Sequence, residues 1–102
     1  MRRGDAVTIA TGSGLGSKPR SALIVQSSQL GARDTIVVLG FTTDCSQPAD
    51  WRPNVEPDER NSLRERSALM SDTPLLVPAA KVGTKLGCLA PTDLQRADEA
   101  LL

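Results

Sequence analysis

The stretch Thr35-Ile36-Val37-Val38-Leu39-Gly40-Phe41-Thr42 decides the fold. It is dense in β-branched residues, which fit a pleated surface better than a helix, and it predicts a strand over 35–42. Reading outward from it, Ser21 to Gln26 is mostly apolar and predicts a buried strand. Asp5 to Ala10 alternates imperfectly, with Val7 and Ile9 on one face, and predicts another. Ala10 to Pro19 carries three glycines and reads as a loop, and Gln29 to Asp34 as a polar turn. Beyond the central strand, Asp44 to Pro53 reads as a loop, Asn54 to Glu56 as a short strand, and Pro57 to Ser62 as a turn. Arg64 to Met70 fits helix or strand. Leu75 to Val77 is a short apolar run between Pro74 and Pro78. Ala79 to Gly83 has room for one helical turn, and Thr84 to Leu89 alternates as a strand does.

The last segment reads as a helix. Thr92 and Gln95 have the spacing of a capping box, Asp93 adds negative charge at the positive helix end, and Leu94, Ala97 and Leu101 share a face. Many short strands and one terminal helix predict a mainly β chain, a compact antiparallel barrel closed by that helix. At 102 residues and 10.8 kDa, the size fits a single domain over 1–102.

Composition removes several chemistries. The chain has no His and no Tyr, so a Ser-His-Asp triad, a Cys-His dyad, a His-based metal site and a two-histidine ribonuclease are excluded. Lys+Arg and Asp+Glu are both 12, so a nucleic-acid site must be a local cluster rather than an overall basic footprint. Trp51 and Phe41 are the two aromatic residues, too few for a row of base-stacking rings. Cys45 and Cys88 form no CxxC pair and read as partly buried reduced thiols, with one disulfide between them as the alternative. No apolar run approaches a membrane span, and Met1-Arg2-Arg3-Gly4-Asp5 does not resemble a signal peptide, so a cytoplasmic location is expected. Gly12, Gly14 and Gly16 depart from the dinucleotide fingerprint. Arg60, Arg64 and Arg66, interleaved with Glu59 and Glu65, read as a self-compensated surface. Trp51 reads as a packing, dimer or partner contact.

Taken in order, the segments resemble the MazF/PemK/Kid toxins of bacterial toxin–antitoxin pairs. The likeness is carried by Arg3-Gly4-Asp5-Ala6-Val7, by Lys18-Pro19-Arg20 running into Ser21–Val25, by Val37–Thr43, by Val55-Glu56-Pro57 and Asn61-Ser62-Leu63, by Ser67-Ala68-Leu69-Met70-Ser71-Asp72, and by Lys81-Val82-Gly83 with Leu86-Gly87. The resemblance implies an SH3-like small β barrel with short helices, forming a homodimer. It implies a sequence-selective endoribonuclease that cleaves single-stranded RNA without a metal or organic cofactor, and a cognate antitoxin that occupies the same groove.

It also implies roles. Arg20 stands at the family's catalytic Arg. A guanidinium is a poor base, but its fork suits the charge of a phosphorane. Thr42 stands at the strand-end Thr and would position the phosphate or the 2′-hydroxyl. Asp72 stands where some members carry an Asp, a base candidate in a chain without His; a turn Asp bonded to local backbone explains it equally. Lys18, Ser21 and Thr43 are the RNA-binding candidates. Ser21 replaces the Pro that normally follows the Arg, Met70 stands where some members carry an Arg, and the stretch Thr73-Pro74-Leu75 lacks the Arg that many members carry after the Asp. That loss of charge leaves two alternatives: a member with weakened cleavage that still binds antitoxin, or a CcdB-like toxin with a protein target such as DNA gyrase.

Overall fold

The structure is a computed structural model that describes residues 3–10, 20–25, 35–48 and 51–101. The Gly-rich loop at 11–19, with Lys18, and the turn predicted at Gln29–Asp34 lie outside the described residues. The elements are β1 (Asp5–Ile9), β2 (Arg20–Ile24), β3 (Thr35–Thr42), β4 (Asn54–Val55), β5 (Ser67–Leu69), β6 (Leu75–Pro78), a 3-10 turn at Ala79–Lys81, β7 (Val82–Cys88) and α1 (Pro91–Ala100). All strand pairs are antiparallel. The strand order is β4-β5-β3-β2-β1-β7, with β6 on β3 as well. The mainly β expectation with a closing helix therefore holds.

β3 organises the sheet because one of its edges is divided. Along the other edge, Val38, Leu39 and Gly40 pair with Ile24, Leu23 and Ala22 of β2. On the divided edge, Thr35 to Val38 pair with β6, and Phe41 and Thr42 pair with β5. The chain crosses the division in the turn at 70–74, where Met70 N–H donates to the Gly40 carbonyl at 2.9 Å. A Cβ on Gly40 would lie 2.4 Å from the Met70 methyl, so the bare glycine makes room for that crossing.

The apolar runs in β2 and β3 are continuous because both faces of the sheet are buried. Leu23 and Leu39 join Val55, Leu69, Leu89 and Ala97 in one core cluster, while Ala22, Ile24 and Val38 join Val7 and Ile9 in a second. Successive side chains on a strand point to opposite faces. A curled sheet that folds back over itself covers the two faces with different partners: α1 contributes Ala97 and half-buried Leu94 to the first cluster, and Val77 and Val82 pack on the second.

The helix corrects one expectation. Ala90 is its N-cap and makes no side-chain cap bond, Pro91 is the first helical residue, and Thr92 lies inside the first turn. A proline fixes φ and lacks the N–H that would go unsatisfied there, so it starts the helix without a capping hydroxyl. Gln95 donates to Glu99 at 3.4 Å instead of reaching back. The ambiguous 64–70 segment yields the three-residue strand β5, and the apolar run at 75–77 becomes β6. Cys45 and Cys88 are free and partly buried. Among the described residues no helix is long and apolar enough to cross a membrane.

Candidate functional site

An open cleft of about 330 Å³ lies where β1, β2 and β3 meet the turn at 70–74. Arg20, Ser21, Thr42, Thr43, Met70 and Leu75 are on its walls. Arg20 arrives there because it opens β2 opposite Ile9 of β1, and Thr42 because it closes β3. The Arg20 side chain is exposed and has no carboxylate partner among the described residues, unlike Arg3, Arg52, Arg66, Lys85 and Arg96. Its five N–H donors are therefore open to an anion.

Thr42 is held differently. Its Oγ1 accepts the backbone N–H of Asp44 at 3.2 Å, which orients the hydroxyl and leaves its proton available for donation. The Asp44 carboxylate in turn caps Ser46 N–H at 3.0 Å. Hydrogen bonding from the Ser46 hydroxyl and then from its backbone N–H, with the nearby Arg52 charge, holds the Asp44 carboxyl below the ordinary aspartate range.

Asp72 is not on the cleft wall. It makes a two-point pair with Arg52, Nε to Oδ1 at 2.8 Å and a second guanidinium nitrogen to Oδ2 at 3.3 Å. The hydrogen bonds from Arg52 hold the carboxyl below the ordinary aspartate range, and the pair raises the Arg52 pKa. A carboxylate so occupied is a weakened base. The structure thus brings together Arg20, Ser21, Thr42 and Thr43 of the sequence candidates and places Asp72 beside them on the adjoining turn. Lys18 lies outside the described residues.

A second, larger cleft of about 660 Å³ adjoins the first and shares Ser21 and Thr43 with it. Its far wall is the segment Ser62–Glu65 with Leu86 of β7.

The sequence pattern of the PemK-like, MazF-like toxins of type II toxin–antitoxin systems matches residues 2–102. The chain belongs to that family. It is 37% identical over 102 residues to a probable endoribonuclease MazF of Mycolicibacterium smegmatis, an alignment covering all of this chain and 94% of the relative. Among solved structures it resembles a mycobacterial endoribonuclease in complex with its cognate antitoxin, with a TM-score of 0.75 at 19% identity over 99% of this chain and 90% of that one. It also resembles the Mycobacterium tuberculosis toxin MazF-mt6, with a TM-score of 0.73 at 21% identity over 94% and 91% of the two chains. At those identities the two likenesses establish the MazF-like fold.

Within this MazF-like chain three residues escaped sequence reasoning. Arg52 sits between Trp51 and Pro53 in a polar loop and meets a carboxylate 20 positions away. Only the tertiary fold creates that pair. Arg64 and Glu65 belong by sequence to the arginine-rich surface, but they line the second cleft and neither is in an ion pair among the described residues. In that cluster Arg66 pairs with Glu56 at 3.1 Å, not with its interleaved neighbours. Trp51 is 59% exposed, so it packs little against its own chain.

Proposed function

We propose that this chain is an endoribonuclease that cuts single-stranded RNA in the cleft between Arg20 and Thr42. The observation that carries the reading is an exposed guanidinium with no carboxylate partner among the described residues, facing the same open cleft as a hydroxyl whose proton is free. Family membership and the name of the 37% identical relative support it.

The reaction is transesterification. The 2′-hydroxyl oxygen attacks the adjacent phosphorus, the bond from phosphorus to the 5′-oxygen breaks, and the products carry a 2′,3′-cyclic phosphate and a 5′-hydroxyl. Arg20 binds the non-bridging oxygens and offsets the extra negative charge of the phosphorane. The Thr42 hydroxyl donates a hydrogen bond to one of those oxygens and keeps its proton. No described residue on the cleft wall carries a carboxylate, so the 2′-hydroxyl proton goes to water and the departing 5′-oxygen takes its proton from water. Asp72 then serves as a positioning residue rather than as the base. Its pair with Arg52 ties the turn bearing Met70 and Leu75 to the loop that follows Thr43.

The active form is a homodimer in the cytoplasm, and its protein partner is a cognate antitoxin with an acidic, apolar segment that folds over the cleft. Incubation of the protein with a long single-stranded RNA in EDTA, followed by mapping of product ends, tests the activity. Discrete cuts with 5′-hydroxyl ends that Arg20→Ala abolishes are the expected result. Intact RNA across varied sequences would overturn the reading and move the search to a protein target.

A further inference from the structure

We propose that the second cleft is a base-binding subsite that selects guanine beside the scissile phosphate, with Glu65 and Arg64 as its specificity-determining residues. The inference rests on the RNA-cleavage reading. The cleft adjoins the catalytic one through Ser21 and Thr43, so a strand whose phosphate lies against Arg20 and Thr42 can extend a neighbouring nucleotide directly into it. Its volume, about 660 Å³, is that of a typical small-molecule site.

The chemistry of the walls fits an unstacked base. Half-buried Leu63 and exposed Leu86 give the apolar surfaces against which a base can lie flat. Arg64 and Glu65 add a donor fork and a two-oxygen acceptor. Neither is in an ion pair among the described residues. Guanine alone among the RNA bases presents two adjacent donors, N1–H and the 2-amino group, which a carboxylate accepts bidentately. Its O6 and N7 are two acceptors that match a guanidinium. Single-stranded RNA exposes both edges.

The segment carrying these side chains is anchored. Ser62 holds a φ of +56°, and its hydroxyl donates to the Leu86 carbonyl at 2.6 Å. The Cys88 N–H donates to the Arg60 carbonyl at 2.8 Å. Both bonds fasten the start of the segment to β7, so Arg64 and Glu65 leave from a fixed backbone.

The test compares guanine with inosine, which lacks only the 2-amino group. Product ends from a randomised single-stranded RNA pool should show guanine enriched at one position flanking the cut. Inosine at that position should lower wild-type cleavage about tenfold. Glu65→Gln should lose the same factor on guanine RNA and no longer separate guanine from inosine, and Arg64→Ala should relax the preference at that position alone. A wild-type protein that cuts RNA but treats guanine and inosine alike overturns the subsite and leaves the nuclease standing. A wild-type protein that does not cut, while Arg20→Ala still binds guanine oligonucleotides over inosine ones by fluorescence anisotropy, supports the subsite and overturns the nuclease. Absence of both cutting and binding overturns both.

Discussion

In the proposed reaction Arg20 and Thr42 act on the same phosphate by different means, and their substitutions separate. Arg20 is exposed at the start of β2, so Arg20→Ala leaves the core untouched. Its cleavage rate should fall by about 10²–10³, the usual loss when one charge-stabilising donor is removed. Arg20→Lys keeps the charge but loses the fork and should recover only part of it. Thr42→Ser keeps both the acceptor for the Asp44 N–H and the donor proton; Thr42→Val loses both. Single-turnover cleavage should therefore rank wild type and Thr42→Ser well above Thr42→Val, with thermal melting unchanged for Thr42→Ser. The pH profile distinguishes the proton's destination. Asp72 is deprotonated throughout the neutral range because Arg52 lowers its pKa, so a rate governed by Asp72 would be flat there. Loss of the proton to water predicts a rate that rises with pH from about 6 to 9, and a flat profile would return Asp72 to the base role. Arg20 and Thr42 were legible as site candidates through the family resemblance, while only their places at strand ends followed from local strand character. Arg52 was not, since its partner is brought in by the chain's return from β5 to β6.

At the scale of elements, the divided edge of β3 positions the cleft, and the loop that follows Thr43 meets the turn at 70–74 beside it through the Arg52–Asp72 pair. β3 itself was evident from its own residues. β5 and β6 were not: each is short, and β6 has two exposed leucines, Leu75 and Leu76, so neither shows the apolar alternation of a half-buried strand. The loop at 56–63 was evident as a turn, but its keystone was hidden. Asn61 is fully buried. Its Oδ1 accepts the N–H groups of Asp58 and Leu63 at 3.2 and 3.0 Å, and its Nδ2 donates to the Glu56 carbonyl at 2.9 Å. Asn61→Ala strands three backbone groups and should cost about 2–4 kcal/mol in denaturant unfolding. Ser62→Gly removes the strain of a positive φ, but it also loses the bond to Leu86 and loosens the unfolded chain. These effects offset, and the change should stay within about 1 kcal/mol. Between the other two loops, the Arg52–Asp72 pair is intact at neutral pH. Its stabilisation is fully present above the ordinary aspartate pKa and is lost as pH falls through the lowered value. Hydrogen exchange should accordingly show 43–53 and 70–74 losing protection in Arg52→Ala at neutral pH, and in wild type only in strong acid, while β1 to β3 stay protected. Unchanged exchange in those loops would show that the pair ties nothing.

The whole molecule carries no net charge, so attraction for RNA comes from a few cations in the right place. Most described cations are neutralised by a carboxylate: Arg3 by Asp98, Arg52 by Asp72, Arg66 by Glu56, Lys85 by Asp5 and Arg96 by Asp93. Arg20 and Arg64 are not, and they stand on the two adjoining clefts. The balance of charge visible in the sequence thus conceals a local imbalance that exists only once the pairs have formed. A strand that meets these two arginines, and in the proposed site Lys18 as well, releases few counterions. For single strands the slope of log affinity against log salt is about −0.7 per phosphate neutralised, which gives about −1.4 to −2 here. Binding of a short single-stranded RNA to Arg20→Ala should show a shallower slope than binding to a catalytically silent protein that keeps Arg20, such as Thr42→Val, by about 0.7. Between 50 and 200 mM salt the Thr42→Val protein should lose about tenfold in affinity. A slope steeper than about −4 would mean that the RNA runs beyond the two clefts, over Arg60 and Lys81 or across a second copy of the chain, and would place the binding surface on the dimer rather than on one protomer.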